Sequence, residues 1–152
     1  MTDMDLSVLM SGYVRDLFAG EGPVLEELRY EISRQDLPEI YISAEEGKLL
    51  QVLLAAIGAR RVLEIGTLGG YSALWMARAL PGDGHLLTLE KDADRAEFAR
   101  GFIEKAALED VVEVRVGDAR EIMRELVEAV EADREEPFDA VFIDADKEGM
   151  VE

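Results

Sequence analysis

The residues of this chain that could carry chemistry cluster around one glycine-rich turn. Gly66, Gly69 and Gly70 follow the apolar run Val62-Leu63-Glu64-Ile65 and precede Tyr71-Ser72-Ala73-Leu74. An apolar run that enters such a turn and leaves it as a helix can receive the polar tail of a ligand. Glycine lets the backbone turn sharply and approach without a Cβ, and the helix starting near Tyr71 aims its free N–H groups at the same spot. A second apolar run, His85-Leu86-Leu87-Thr88-Leu89, ends in Glu90. An acid at the tip of the neighbouring strand is where a ribose diol is held. Two more acids, Asp118 and Asp144, close further apolar runs.

Each of these residues also has a plainer reading. The glycine turn serves as a tight connection, Asp144 as a polar strand terminus and Lys147 as a solvated residue at a helix start. Asp118 opens the box Asp118-Ala119-Arg120-Glu121 and can cap a helix, a role that coexists with ligand contact. The turn departs from the dinucleotide fingerprint G-x-G-x-x-G, because Leu68 stands where the second glycine would be, so a pyrophosphate would meet a side chain at its closest approach. Hydride transfer with a nicotinamide cofactor is therefore the weaker alternative.

The elements that must position these residues are legible from period and punctuation. Leu6, Leu9, Tyr13 and Leu17 keep helical spacing until Gly20-Glu21-Gly22-Pro23 breaks the run, and Val24, Leu28 and Ile32 open a second helix. These apolar faces are core or a dimer surface. Ser43-Ala44-Glu45-Glu46 is a capping box that starts a third helix, running through Leu49, Leu50, Leu53, Leu54 and Ile57 to Gly58. Strands are predicted at 62–65, 86–89, 111–116 and 138–143, with helices near 71–80, 92–107 and 118–132. Helices between consecutive strands force parallel pairing with right-handed crossovers, so the order βαβαβαβ predicts a three-layer α/β sheet. Ligands of such sheets bind beyond the C-terminal strand ends, where Gly66, Glu90, Asp118 and Asp144 all fall.

Composition narrows the function classes. The chain has 152 residues, of which 49% are hydrophobic, enough for one domain with a substantial core. Thirty-four acids against sixteen bases give a formal charge of −18, which repels phosphate backbones and anionic lipid and argues against nucleic acid as a partner. The absence of cysteine excludes disulfides, thiolate zinc sites and cysteine nucleophiles. Asp3 and Asp5 stand where a secretory signal carries basic residues, and the apolar stretch 52–59 is too short to cross a bilayer, so no membrane association is expected and a cytoplasmic location is the default.

The segment Glu64-Ile65-Gly66-Thr67-Leu68-Gly69-Gly70-Tyr71-Ser72 resembles the first motif of S-adenosylmethionine-dependent methyltransferases, and its E-x-G-x-x-x-G-Y-S form is similar to the cation-dependent O-methyltransferases that include catechol and caffeoyl-CoA enzymes. Ile42-Ser43-Ala44-Glu45-Glu46-Gly47 resembles that family's lead-in, and Phe138 to Lys147 resembles its fourth strand and metal loop. The likeness runs from about residue 40 to the end. It implies a Rossmann-like methyltransferase sandwich in a single domain, with a helical preface over 1–58 and a cofactor-binding core over 59–152. Family members continue through further strands and an Asp-Asn pair that completes the metal site. The domain is thus expected to be incomplete, with its C-terminal strands missing and Val141-Phe142-Ile143 left as an apolar edge.

What the resemblance implies for single residues is as follows. Gly66 offers its backbone to the methionine amino group, Ser72 and the Ile42 backbone hold the methionine carboxylate, and Glu90 takes both ribose hydroxyls. Glu64, Gly70 and Asp144 belong to the same donor-binding set, and the turn at Asp118 and Ala119 lies against the adenine. Asp144 is a ligand to a divalent cation, usually Mg²⁺, and Lys147 is the general base that deprotonates a small hydroxylated aromatic acceptor. A hard cation stabilises the phenolate that attacks the sulfonium methyl, and burial beside it lowers the lysine pKa from about 10.4. The family is often dimeric, which with the apolar preface helices implies a homodimer. A non-catalytic S-adenosylmethionine-binding module that lacks a complete metal and acceptor site is the alternative.

Overall fold

The computed structural model describes residues 3–35 and 37–145. Three helices come first: α1 (Asp3–Phe18), α2 (Pro23–Arg34) and α3 (Ala44–Ile57). Then β1 (Arg61–Ile65), α4 (Tyr71–Ala77), β2 (His85–Glu90), α5 (Ala93–Lys105), β3 (Val112–Val116), α6 (Ala119–Glu131) and β4 (Ala140–Ile143) alternate as expected. Short-range chemistry sets these bounds. Ser43 and Glu46 form a reciprocal capping box at the start of α3, with bonds of 3.2 and 2.7 Å, and Gly58 closes that helix in the left-handed region at φ 64°. Asp92 and Asp118 cap α5 and α6 through their side chains.

All strand pairs are parallel, in the order β3-β2-β1-β4. The chain winds outward from β1 to β3 and then returns to the other side of β1, so the switch point lies between β1 and β4. Alternation along the strands divides the core in two. Val62, Leu86, Val112 and Val114 face a layer built from α2, α3, α4 and α5, whereas Leu63, Ile65, Leu87 and Leu89 face Ile122 and Leu126 of α6. The result is the three-layer sandwich. β4 is an edge strand, with Val141 and Ile143 exposed.

Two details differ from the sequence expectation, and a third resolves an alternative it left open. The fourth strand begins at Ala140 rather than 138, because the Asp139 carboxylate turns back to accept the backbone N–H groups of Arg60 and Arg61 at 2.7 and 2.9 Å. α4 ends at Ala77, after which Ala79 and Leu80 continue only in single turns. The faces of the first two helices part company: α2 buries Leu25, Leu28 and Ile32, while Leu9, Tyr13 and Leu17 of α1 stay exposed as α1 packs on the outside of α3. Among the described residues, no helix is long and apolar enough to cross a membrane.

Candidate functional site

The turn after β1 is built by three close backbone approaches. Gly66 takes φ 102°, and a Cβ there would sit 2.6 Å from the Asp144 carbonyl oxygen, so neither the conformation nor the space admits a side chain. Its N–H donates to the Leu89 carbonyl at 3.0 Å, and the Asp144 N–H donates to the Ile65 carbonyl at 3.0 Å. The ends of β1, β2 and β4 are thereby stitched together at the switch point. Gly70 takes φ 86° as the residue before α4, against Ala99 of α5. Leu68, where the dinucleotide fingerprint wants glycine, also has a positive φ of 50°. Its N–H donates to Glu90 Oε2 at 2.8 Å, which holds a strained residue in place through a charged acceptor.

Glu90 spans two loops. Its second oxygen, Oε1, accepts the Asp92 N–H at 3.1 Å, and the side chain is almost fully buried. Each carboxylate oxygen accepts two bonds, so one acceptor position per oxygen is left after these backbone contacts. A diol needs two such positions.

Beneath the turn lies a buried polar chain. Glu64 on β1 is in register with Thr88 on β2, and both point into the layer under α4. Glu64 Oε1 accepts the Ser72 hydroxyl, Oε2 accepts Thr88 Oγ1 at 2.6 Å, and Thr88 Oγ1 shares a further 2.6 Å bond with Thr67 Oγ1. Complete burial is the main reason the Glu64 carboxyl is pushed up to about 7. Ser72 and Thr88 pull the other way, and the nearby Asp144 and Glu90 charges add to the rise.

A cleft of about 1390 Å³ opens above the C-terminal ends of the strands. Six of the residues singled out from sequence line it: Gly66, Ser72, Glu90, Asp118, Ala119 and Asp144. Three do not. Glu64 is turned under the loop, where its oxygens are committed to Ser72 and Thr88, so it supports the cleft wall rather than forming it. Gly70 is tucked against Ala99, and Ile42 packs on the apolar core while its neighbours Ile40 and Tyr41 reach the cleft. Lys147 lies outside the described residues. Asp118 caps α6, accepting the Arg120 N–H at 2.8 Å, and also lines the cleft. Around Asp144, no group of three or more His, Cys, Asp or Glu side chains is disposed to hold a metal among the described residues.

Sequence reasoning missed the aromatic wall. Tyr71 and Tyr41 both line the cleft, with ring centroids 5.1 Å apart. Tyr71 stood within the glycine motif, but nothing local marks Tyr41 as its neighbour. The cations Lys91, Arg95 and Arg124 on the cleft rim were missed as well, although an excess of acids elsewhere makes their grouping notable.

The arrangement suits a ligand with a cationic centre, a diol and an aromatic base. Carboxylates of Glu90 and Asp144 offer the first two their complement, and an apolar, aromatic wall accepts the third. Comparison with known proteins agrees in kind. A family model described as O-methyltransferase matches residues 15–152. A catechol O-methyltransferase of Niastella koreensis is 42% identical over 135 residues, covering 89% of this chain and 59% of the relative. Among solved structures, an O-methyltransferase from Bacillus cereus in complex with SAH superposes with a TM-score of 0.83 at 43% identity, covering 91% of this chain and 61% of the other. The O-methyltransferase TomG of Streptomyces achromogenes, in complex with SAM, gives 0.86 at 40% identity, covering 97% and 64%. The chain thus spans about 60% of the length of the relatives it matches.

Proposed function

We propose, from the premise that this chain belongs to the O-methyltransferase family, that its cleft binds S-adenosylmethionine and that the protein transfers the donor's methyl group to a hydroxyl oxygen. The observation that carries the reading is the pairing of Gly66 and Glu90. Gly66 gives a ligand bare backbone at the switch point, and Glu90 lines the same cleft with, among the described residues, one acceptor position left on each oxygen. In the bound state Glu90 takes the ribose hydroxyls and the Gly66 backbone takes the methionine amino group. Tyr71, Tyr41 and the Asp118–Ala119 turn exclude water around the adenosyl portion. Bound S-adenosylmethionine supplies an electrophilic methyl on sulfur. The acceptor oxygen forms a new bond to that carbon as the sulfur–carbon bond breaks, and the hydroxyl proton leaves to a base. Lys147 is the base we assign. The protein's contribution is in-line positioning, with the Asp144 carboxylate in the cleft lining to meet positive charge.

The finer reading is a small hydroxylated aromatic acceptor of catechol type, with a divalent cation such as Mg²⁺ at Asp144. It is supported by the names of the relatives and by the hard oxygen that Asp144 brings to the cleft. The described residues do not fit such an ion, since Asp144 stands without a cluster of further ligands. No step is therefore derived through a metal. We extend the proposal to a homodimer across α1 and α3, where Leu9, Tyr13, Leu17, Leu49, Leu53 and Ile57 form an exposed apolar face.

Calorimetric titration with S-adenosylhomocysteine tests the donor site, and methyl transfer to catechol with and without Mg²⁺ and chelator tests the reaction. Binding together with methyl transfer is the expected result, and the chelator arm decides whether a divalent cation takes part. Binding without transfer favours a non-catalytic cradle, and affinity for NAD but not for S-adenosylhomocysteine overturns the assignment. Light scattering that gives a monomer mass removes the dimer.

A further inference from the structure

The connection between α1 and α2 carries a buried acid that the proposed transfer does not use. Glu21 sits between two glycines, and Gly22 takes φ 76° before Pro23 opens α2. Only 8% of Glu21 is exposed, unusual for an acid in a connecting turn. Burial of a carboxylate is costly unless it is paired and hydrogen-bonded, and both conditions hold here. Oε1 accepts the Tyr71 phenol at 2.6 Å, and Oε2 accepts Arg29 Nη1 at 2.7 Å. The Glu21 carbonyl also accepts Arg78 Nη2 at 2.8 Å. Tyr71 is the first residue of α4 and Arg78 its C-cap, so one loop residue grips both ends of the helix that follows the glycine turn.

The grip leads to the cleft. Tyr71 follows Gly70 directly, and its ring forms the cleft wall with Tyr41. Burial first, and then the Glu21 carboxylate, hold the phenol far above its ordinary pKa, which makes it a permanent donor. Among the described residues, α1 and α2 lend no lining residue of their own to the cleft.

We propose that Glu21 is a positioning residue for the methyl-donor cleft: by holding the Tyr71 hydroxyl it fixes the Tyr71–Tyr41 wall and the start of α4, so the α1–α2 connection sets donor affinity without touching the donor. The inference rests on the reading of the cleft as a S-adenosylmethionine site.

The test uses the whole chain in three variants, Tyr71→Phe, Glu21→Ala and the pair combined, with Glu21→Gln as the conservative rescue. Titration with S-adenosylhomocysteine is expected to give a Kd about tenfold weaker for each single variant, the scale of a bond to a charged acceptor. The combined variant is expected to be no weaker than either single one, since both remove the same contact. Glu21→Gln, which keeps an acceptor for the phenol, restores most of the affinity lost in Glu21→Ala. If Glu21→Ala does not fold, Tyr71→Phe decides alone, because it removes one oxygen and leaves the ring. An unchanged Kd in a folded Tyr71→Phe overturns the proposal. Amide hydrogen exchange separates the two failures: a wild type that does not bind sinks the site reading. In that event faster exchange at 67–71 in Tyr71→Phe, with β2 and β3 unchanged, still supports the positioning role, and unaltered exchange ends it.

Discussion

Replacing Glu64 by glutamine should remove one pH-dependent part of this protein's stability. The folded carboxyl is pushed from 4.5 to about 7, chiefly by burial. Between those values the native chain holds a proton that the unfolded chain has released. Stability therefore falls as pH rises through this window and levels off above about 7. A displacement of that size corresponds to roughly 3 kcal/mol for ionising the group inside the fold. Glutamine copies the protonated acid. Its oxygen accepts the Ser72 hydroxyl, and its amide donates to Thr88 Oγ1, which can in turn donate to Thr67. The second amide hydrogen has no acceptor in that chain, at a cost of about 1 to 2 kcal/mol. The variant should thus be less stable than wild type near pH 4.5 by about that amount, and more stable at pH 8 by about 1 to 2 kcal/mol. Urea unfolding at a series of pH values measures the crossing, with Trp75 as reporter. It is the single tryptophan, almost fully buried, and lies one helical turn from Ser72. Wild-type and variant curves that run parallel from pH 5 to pH 8 would refute the account of Glu64 as a buried acid whose charge the fold resists.

Three other substitutions probe the same architecture. Gly66→Ala places a Cβ at φ 102° and 2.6 Å from the Asp144 carbonyl oxygen, so it should cost about 2 kcal/mol or more in urea unfolding and abolish measurable S-adenosylhomocysteine binding. Asp118→Ala removes the cap of α6 and should cost about 1 kcal/mol, as should Asp92→Ala at α5. Only the Asp118 variant should also weaken donor binding, and equal affinities would leave Asp118 as a cap alone. Gly47→Ala drives a methyl to within 2.6 Å of Trp75 Nε1, so overpacking should cost about 1 to 3 kcal/mol and shift the tryptophan emission, with no change in pH dependence.

The reach of each interaction explains how far sequence reading went. Ser43 finds Glu46 three residues on, Asp118 finds the N–H groups of Arg120 and Glu121, and Gly58 closes α3 by its own left-handed backbone. Such signals lie within one turn, so they are legible in order along the chain. The inward placement of Glu64 was not legible, because motif position does not say which face a strand residue takes or what sits opposite it. Its partner Thr88 lies 24 residues away and meets it only through the β1–β2 register. Glu21 was passed over inside a turn that read as punctuation, and its partner Tyr71 is 50 residues distant.

The amino-acid order alone determined the alternation of strands and helices, the parallel sheet that this alternation forces, and the strand ends where Gly66, Glu90, Asp118 and Asp144 gather, since period, caps and chirality act locally or by rule. Only the folded chain decided which of two acids on neighbouring strands faces the cleft and which is sealed beneath it. It alone closed the Tyr71–Tyr41 wall, and it alone made glycine obligatory at 66, where the Asp144 backbone leaves no room. These outcomes depend on register and on the approach of distant backbone, and both arise only when the layers pack.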